Sequence, residues 1–369
     1  MERILQFGTG RFLRGFVGAF VQDGNDATAA GGPGPVRVID VVESTGSGTA
    51  ARLAAQGGRY RLLVRGLTGG RSVDTVRVVG NIDRTLDVRA DPAGTWAAGL
   101  DPQLGILVSN TTEAGYRPGA DGFPGRLLEL LVHRARAGMP GITILPCELI
   151  ERNGAVLRRL VREEAAGRPL EPGVVEHVLD ANHWAVTLVD RIVTLPPPDL
   201  PAAAGDRLAV AAEPYAAWII EPLDPTAADL LVPPHPAIRT VPSAGPYALR
   251  KIRILNGAHT ALVARTRGGP CDLVREAMAD HAIATWLELM LREEVVPALG
   301  ERIEEGQAFV TDVLERFRNP YLDHRLADIA VGHHEKLATR LVPTFDDHVA
   351  RFSRPPSLLG RLLEQEGVR

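Results

Sequence analysis

Four short apolar runs constrain this chain more than any other feature. Ile4, Leu5 and Phe7 run into Gly8. Val36, Val38, Ile39, Val41 and Val42 form a second run, Ile106, Leu107 and Val108 a third. Ile142, Ile144 and Leu145 form a fourth, stopped by Pro146. Such runs fit strands buried on both faces, as in parallel sheets. Helix-like stretches separate them. Residues 124–136 place Leu127, Leu128, Leu130 and Leu131 on one apolar face. Pro124 suits a first helical position, where its missing N–H costs nothing. Buried strands alternating with helices predict an α/β chain with a doubly wound sheet.

The pattern changes downstream. Proline is dense over residues 195–201 and 233–236, where helix interior is excluded. From Tyr247 onward the spacing is helical, with apolar residues three and four apart over residues 283–299 and 302–317. Two domains are expected, residues 1–240 and a mostly α-helical 241–369, in keeping with a length of 369 residues.

A net charge of −4 without like-charge blocks gives no reason to expect a nucleic-acid or membrane-surface partner. Cys147 and Cys271 lack zinc-site spacing and form no disulfide framework. His333 and His334 are adjacent and cannot both face one ion from a regular helix, so no metal is expected. No Gly-x-Ser-x-Gly elbow occurs. There is no signal-peptide pattern, and no apolar run approaches the ~20 residues that span a bilayer. A soluble, cytoplasmic protein is the expectation.

Gly8-Thr9-Gly10 follows the first strand and opens a helix through Arg11, Phe12 and Phe16. Glycines there let the backbone approach a pyrophosphate at a helix N-terminus, although the third glycine of the dinucleotide fingerprint is replaced by Leu13, with Gly15 two residues on. An ordinary tight turn is the alternative. Glu43, at the end of the second strand, is placed to hold ribose hydroxyls; it would repel a 2′-phosphate and so favour NAD over NADP. Asp40 is its rival, and a solvated strand-end acid the plainer possibility. Ser109, Asn110 and Thr111 follow the strand at 106–108, where loops line the ligand crevice, with helix capping as the other role for such residues.

Lys251, Asn256 and His259 fall in one helical stretch. On an α-helix Asn256 and His259 share a face, and Lys251 lies about 80° around the axis from His259. A ketone accepting hydride needs a proton donor; lysine can serve if burial and the neighbouring Arg250 and Arg253 lower its pKa. Asn256 can donate to the developing alkoxide, and His259 can orient the lysine or a substrate hydroxyl. Taken alone, the set also fits structural roles.

Together these segments resemble the polyol-specific long-chain dehydrogenase/reductase family, which includes mannitol dehydrogenases and keto-uronate reductases. Carrying the resemblance are residues 5–14, Ser109-Asn110-Thr111-Thr112-Glu113, residues 144–150 and 187–193, Glu213-Pro214-Tyr215, Lys251 with residues 253–260, residues 314–320 and residues 336–344. It implies a Rossmann domain followed by a helical one, an NAD cofactor, and zinc-independent catalysis with Lys251 as general acid/base. Within the family the likeness is greatest to the reductases that turn tagaturonate into altronate. A mannitol/fructose enzyme and a catalytically silent homologue are the alternatives. Glu148 is implied near the ribose or nicotinamide, Glu221 among the substrate contacts, and Lys336 and Arg340 as cations for a uronate carboxylate. Two departures stand out. Val186 occupies the position of a family asparagine, with Asn182 upstream as a substitute; one lost oxyanion donor costs on the order of 3 kcal/mol. The chain is also shorter than typical members, which points to missing loops around the substrate mouth.

Overall fold

The computed structural model describes residues 1–198, 200–224, 231–232 and 234–369; Asp199 and Pro233, from the two proline-dense segments, lie outside the described residues. Among them, no helix is long and apolar enough to cross a membrane. The chain separates into two compact units.

The first unit comprises Met1–Val64, Thr75–Ala212 and Ala216–Ala244. Its main sheet has eight strands: β1 (Glu2–Phe7), β2 (Arg37–Glu43), β3 (Ile82–Asp87), β4 (Leu104–Ser109), β5 (Thr143–Pro146), β6 (His183–Asp190), β7 (Ala217–Pro222) and β8 (Ile238–Thr240). Their spatial order is β8-β7-β6-β5-β4-β1-β2-β3. From β6 to β3 every pairing is parallel; β7 pairs antiparallel with β6 and β8 parallel with β7, so these two run opposite to the other six. This is the doubly wound sheet expected from the apolar runs, with helices on both faces. Ile4, Leu5 and Phe7 are fully buried because each side of β1 meets a separate apolar cluster. The helix Phe123–Arg136 has proline in its first turn and buries Leu127, Leu128, Leu130 and Leu131.

The sequence reading missed a hairpin, Tyr60–Thr68 with Arg71–Val79. Its signal was Gly69-Gly70, both at positive φ, the two-residue turn that matches strand twist. The second strand is largely exposed, so it lacks the apolar run that marks the main sheet.

The second unit holds Gly245–Arg369 together with Arg65–Asp74 and Glu213–Tyr215. It is mostly helical around a core that includes Leu262, Leu287, Leu291, Val310, Leu314 and Leu363. The helix expected from residue 302 begins at Gly306, because Glu305 takes a left-handed conformation that interrupts the run. Three longer helical runs contain π-helical turns, Lys251–Asn256, Met290–Val295 and Leu337–Leu341, and the first packs against both others.

Candidate active site

The first unit carries a cleft of about 530 Å³ at the carboxyl ends of β1, β2 and β4. Here β1 lies between β2 and β4, so the cleft sits where the strand order reverses, the usual ligand crevice of an open parallel sheet. Gly8 closes it from below. Its amide donates to the Val42 carbonyl at 3.0 Å, its φ is +123°, and a Cβ would lie 2.9 Å from the Asn110 carbonyl. Only glycine fits that conformation and that approach. Gly10 precedes the short helix Arg11–Gly15 with open space where a side chain would stand. The close packing that the fingerprint's third glycine provides is supplied by Gly15, where a Cβ would fall 2.6 Å from Val193 Cγ1.

Gly8, Thr9, Gly10, Asn110 and Thr111 line the cleft. Arg11 and Phe12 do not; Arg11 is exposed and Phe12 stacks on Phe16 at 4.8 Å. Glu43, expected to hold the ribose, is engaged by its own chain. It is buried, and its two carboxylate oxygens accept the Gly48 and Ala50 amides, each at 2.7 Å. It caps the helix Thr49–Ala55 and does not line the cleft. Its rival Asp40 is tied to Arg3 and Arg84. The residues lining that corner are Ser44, Thr45, Ser47 and Thr49, with Arg126 beside them. Sequence reasoning passed over them, although Ser44 and Thr45 follow the strand directly.

Glu148 and Ser109 also stand behind the cleft wall. Glu148 accepts the Thr111 amide at 2.8 Å, the Ser109 hydroxyl at 3.1 Å and the Tyr116 hydroxyl at 2.9 Å. Burial pushes its carboxyl pKa up, and these donors pull it back. Glu148 therefore braces the loop that presents Asn110 and Thr111.

Glu221 is likewise committed to the chain. It accepts Arg152 at 3.3 Å and the Ala244 amide at 2.7 Å. Val186 is buried on β6, directly across from Glu221. Asn182 does not substitute for the family asparagine: its carboxamide accepts the Ile142 amide and donates to His177 and Val178 carbonyls.

In the second unit, Lys251, Asn256 and His259 lie on one continuous helical run, Gly245–Arg250 through Gly257–Thr266, but its middle is not α-helical. Lys251 opens the π turn and Asn256 ends it. Residues five apart lie about one turn apart in a π-helix, so the π turn brings Lys251 and Asn256 towards one side as a regular α-helix would not. Arg250 and Arg253, expected beside the lysine, are engaged elsewhere. Arg250 donates to the Glu304 carbonyl at 3.0 Å, and Arg253 to the Thr344 hydroxyl at 3.1 Å.

Among the described residues the Asn256 carboxamide has no hydrogen-bond partner, while its backbone carbonyl accepts Thr260 Oγ1 at 2.9 Å. Arg340, in the Leu337–Leu341 π turn, donates to the same carbonyl at 3.5 Å and to Thr260 Oγ1 at 3.3 Å. It has no acidic partner among the described residues, and desolvation lowers its pKa. Lys336 is different: its ammonium donates to the Ile329 carbonyl at 2.8 Å.

His259 is buried against Phe317, at 4.2 Å between centroids, and against His324 at 4.8 Å. Burial, then the His324, Arg316 and Arg340 charges, hold its pKa well below the ordinary histidine value, so its ring is neutral at pH 7. Arg316 belongs to a buried ion pair with Glu213, at 2.8 and 3.0 Å, and stacks over Tyr215. Two of the segments that carried the resemblance thus meet in this unit. Among the described residues, no group of three or more His, Cys, Asp and Glu side chains could hold a metal ion.

Comparison with known proteins bears on both units. Residues 2–231 match the model of the mannitol dehydrogenase Rossmann domain, and residues 244–362 that of the mannitol dehydrogenase C-terminal domain. The chain is 34% identical to an altronate oxidoreductase of Halalkalibacterium halodurans, over 97% of this chain and 73% of that protein. It is 34% identical to one of Bacillus subtilis, over 97% and 77%. Among solved structures, a D-sorbitol dehydrogenase superposes with a TM-score of 0.83 at 22% identity, covering 98% of this chain and 79% of that one. The Pseudomonas fluorescens mannitol 2-dehydrogenase, in complex with NAD and D-mannitol, gives 0.73 at 22% identity, over 99% and 78%.

Proposed function

The chain belongs to the mannitol dehydrogenase family, and from that premise we propose that it reduces a keto-uronate of the tagaturonate type with NADH, without a metal. As an NAD-dependent oxidoreductase of CH–OH groups it needs a dinucleotide site and a proton donor. The cleft above Gly8 fits the first: backbone amides, the Asn110 and Thr111 side chains, and a glycine that no Cβ could replace line a crevice at the strand reversal. When bound, the nicotinamide supplies the hydride.

The remaining work falls to side chains of the helical unit. Lys251 protonates the carbonyl oxygen as the ketone becomes an alcohol, and in the reverse direction takes the hydroxyl proton. The Asn256 carboxamide donates to the same oxygen as charge builds on it; a donor of this kind contributes on the order of 3 kcal/mol. His259, neutral and buried, can accept a substrate hydroxyl or orient the lysine without adding a competing charge.

One observation carries the uronate reading over a neutral polyol. Arg340 is a desolvated guanidinium beside Asn256 with no acidic partner among the described residues. Arginine suits a carboxylate because its fork donates two parallel hydrogen bonds. The relatives named altronate oxidoreductases support the same assignment. The test is kcat/KM for tagaturonate, fructuronate and fructose at one NADH concentration. The reading expects a uronate to lead, and a preference for fructose overturns it.

A further inference from the structure

The corner of the cleft beyond β2 is rich in hydroxyls and guanidinium groups, and among the described residues the one carboxylate lining the cleft there is that of Asp121, on its exposed rim. Glu43 is withdrawn, its charge offset by the Gly48 and Ala50 amides. Ser44, Thr45, Ser47 and Thr49 present hydroxyl groups there. Two arginines hold the loop: Arg126 Nη1 lies 3.4 Å from the Ser44 carbonyl, and Arg89 Nη1 lies 3.2 Å from that of Thr45. Arg126 has only 14% of its side chain exposed, yet its one ion pair among the described residues is with Asp121 at 3.9 Å, itself 87% exposed. Asp87 is also nearby, with Oδ1 accepting the Arg89 amide at 2.9 Å. Desolvation holds the Arg126 pKa down, with Arg89 and Arg117 adding to the positive field and Asp121 and Asp87 opposing it. A partly buried guanidinium whose one counter-ion is a long, solvent-exposed contact, next to several hydroxyls, has the chemistry to bind a phosphate dianion.

We propose that this corner takes the 2′-phosphate of NADP(H), so that the chain binds NADP(H) as well as NAD(H), with Arg126 and the Ser44 hydroxyl as the phosphate ligands. The proposal rests on the dinucleotide reading of the cleft. It reverses the expectation drawn from Glu43, whose carboxylate would oppose a 2′-phosphate only if it faced the ribose.

The test is calorimetric binding of ADP-ribose and 2′-phospho-ADP-ribose to the full chain, which reads the corner without any turnover. The two dissociation constants should fall within about tenfold of each other, about 1.4 kcal/mol. Arg126→Ala should raise the ratio of the phosphorylated to the plain constant by about tenfold or more. Ser44→Asp, which places a carboxylate at the loop, should raise it likewise. A wild-type ratio above about one hundred, or a ratio that neither variant moves, overturns the proposal. If neither compound binds, the dinucleotide reading fails with it.

Discussion

The guanidinium of Arg340 donates to the hydroxyl of Thr260 at 3.3 Å, joining two helical segments eighty residues apart in the chain. The contact is long and neutral, so it holds Arg340 in place without neutralising it. A guanidinium tied to a carboxylate of its own chain would have no reason to prefer an acidic substrate.

Arg340→Lys retains the charge and loses the fork. Charge-assisted bidentate pairing is worth about 1.5–3 kcal/mol, so kcat/KM for a keto-uronate should fall about 10- to 100-fold. Fructose, which has no carboxylate, should change by less than about threefold in the same variant. Steady-state rates on both substrates decide it; equal losses on the two would remove Arg340 from substrate recognition.

Glu43→Gln separates capping from cofactor binding. The carboxylate accepts two helix-terminal amides, so the amide side chain should lower stability by about 1–2 kcal/mol, read as a lower thermal midpoint. NADH affinity should change by less than about threefold, whereas loss of a ribose ligand would weaken binding by tenfold or more.

These two residues also show what the sequence could and could not convey. The strands of the main sheet were legible because β1, β2, β4 and β5 are buried on both faces, and continuous apolar runs have few other uses. That a polar loop follows β2 was equally plain. Whether Glu43 would face the cleft or turn back to the helix was not, because both outcomes place a carboxylate at the same strand end. The turn of residues 44–48 decides it. The π turns were hidden for a similar reason: a shift from i+4 to i+5 bonding over Lys251–Asn256 leaves no compositional mark and is set by packing against the neighbouring turns.

The Glu213–Arg316 pair should be among the costliest polar contacts to break. Both side chains are almost wholly buried, at 2% and 5% exposure. Glu213→Ala leaves a buried guanidinium without its carboxylate and should destabilise the helical unit by about 3–5 kcal/mol. Urea unfolding followed by a probe in that unit measures the loss. A change below about 1 kcal/mol would place the pair in the range of surface contacts.

The two facing histidines set a pH dependence of stability. Burial lowers the pKa of both His259 and His324 in the folded chain. Between those folded values and the unfolded value of about 6.5, the unfolded chain binds more protons, so stability rises with pH through that window and is lost as pH falls through it. Each such group contributes a slope of up to about 1.4 kcal/mol per pH unit. Unfolding free energy between pH 5 and 8 should therefore drop on the acid side, and His324→Gln should flatten the drop. A profile of equal slope in that variant would show that His324 takes no part.

The most direct test of the whole account follows NADH absorbance with tagaturonate at neutral pH in excess chelator, for the wild type and for Lys251→Ala. The account predicts chelator-resistant oxidation of NADH that falls at least about a hundredfold in the variant, within the range that a positioned general acid supplies. NADH binding by the variant should survive, as the cleft proposed for the cofactor is lined by residues of the first unit. Turnover that chelator abolishes, or that persists undiminished without Lys251, would contradict it.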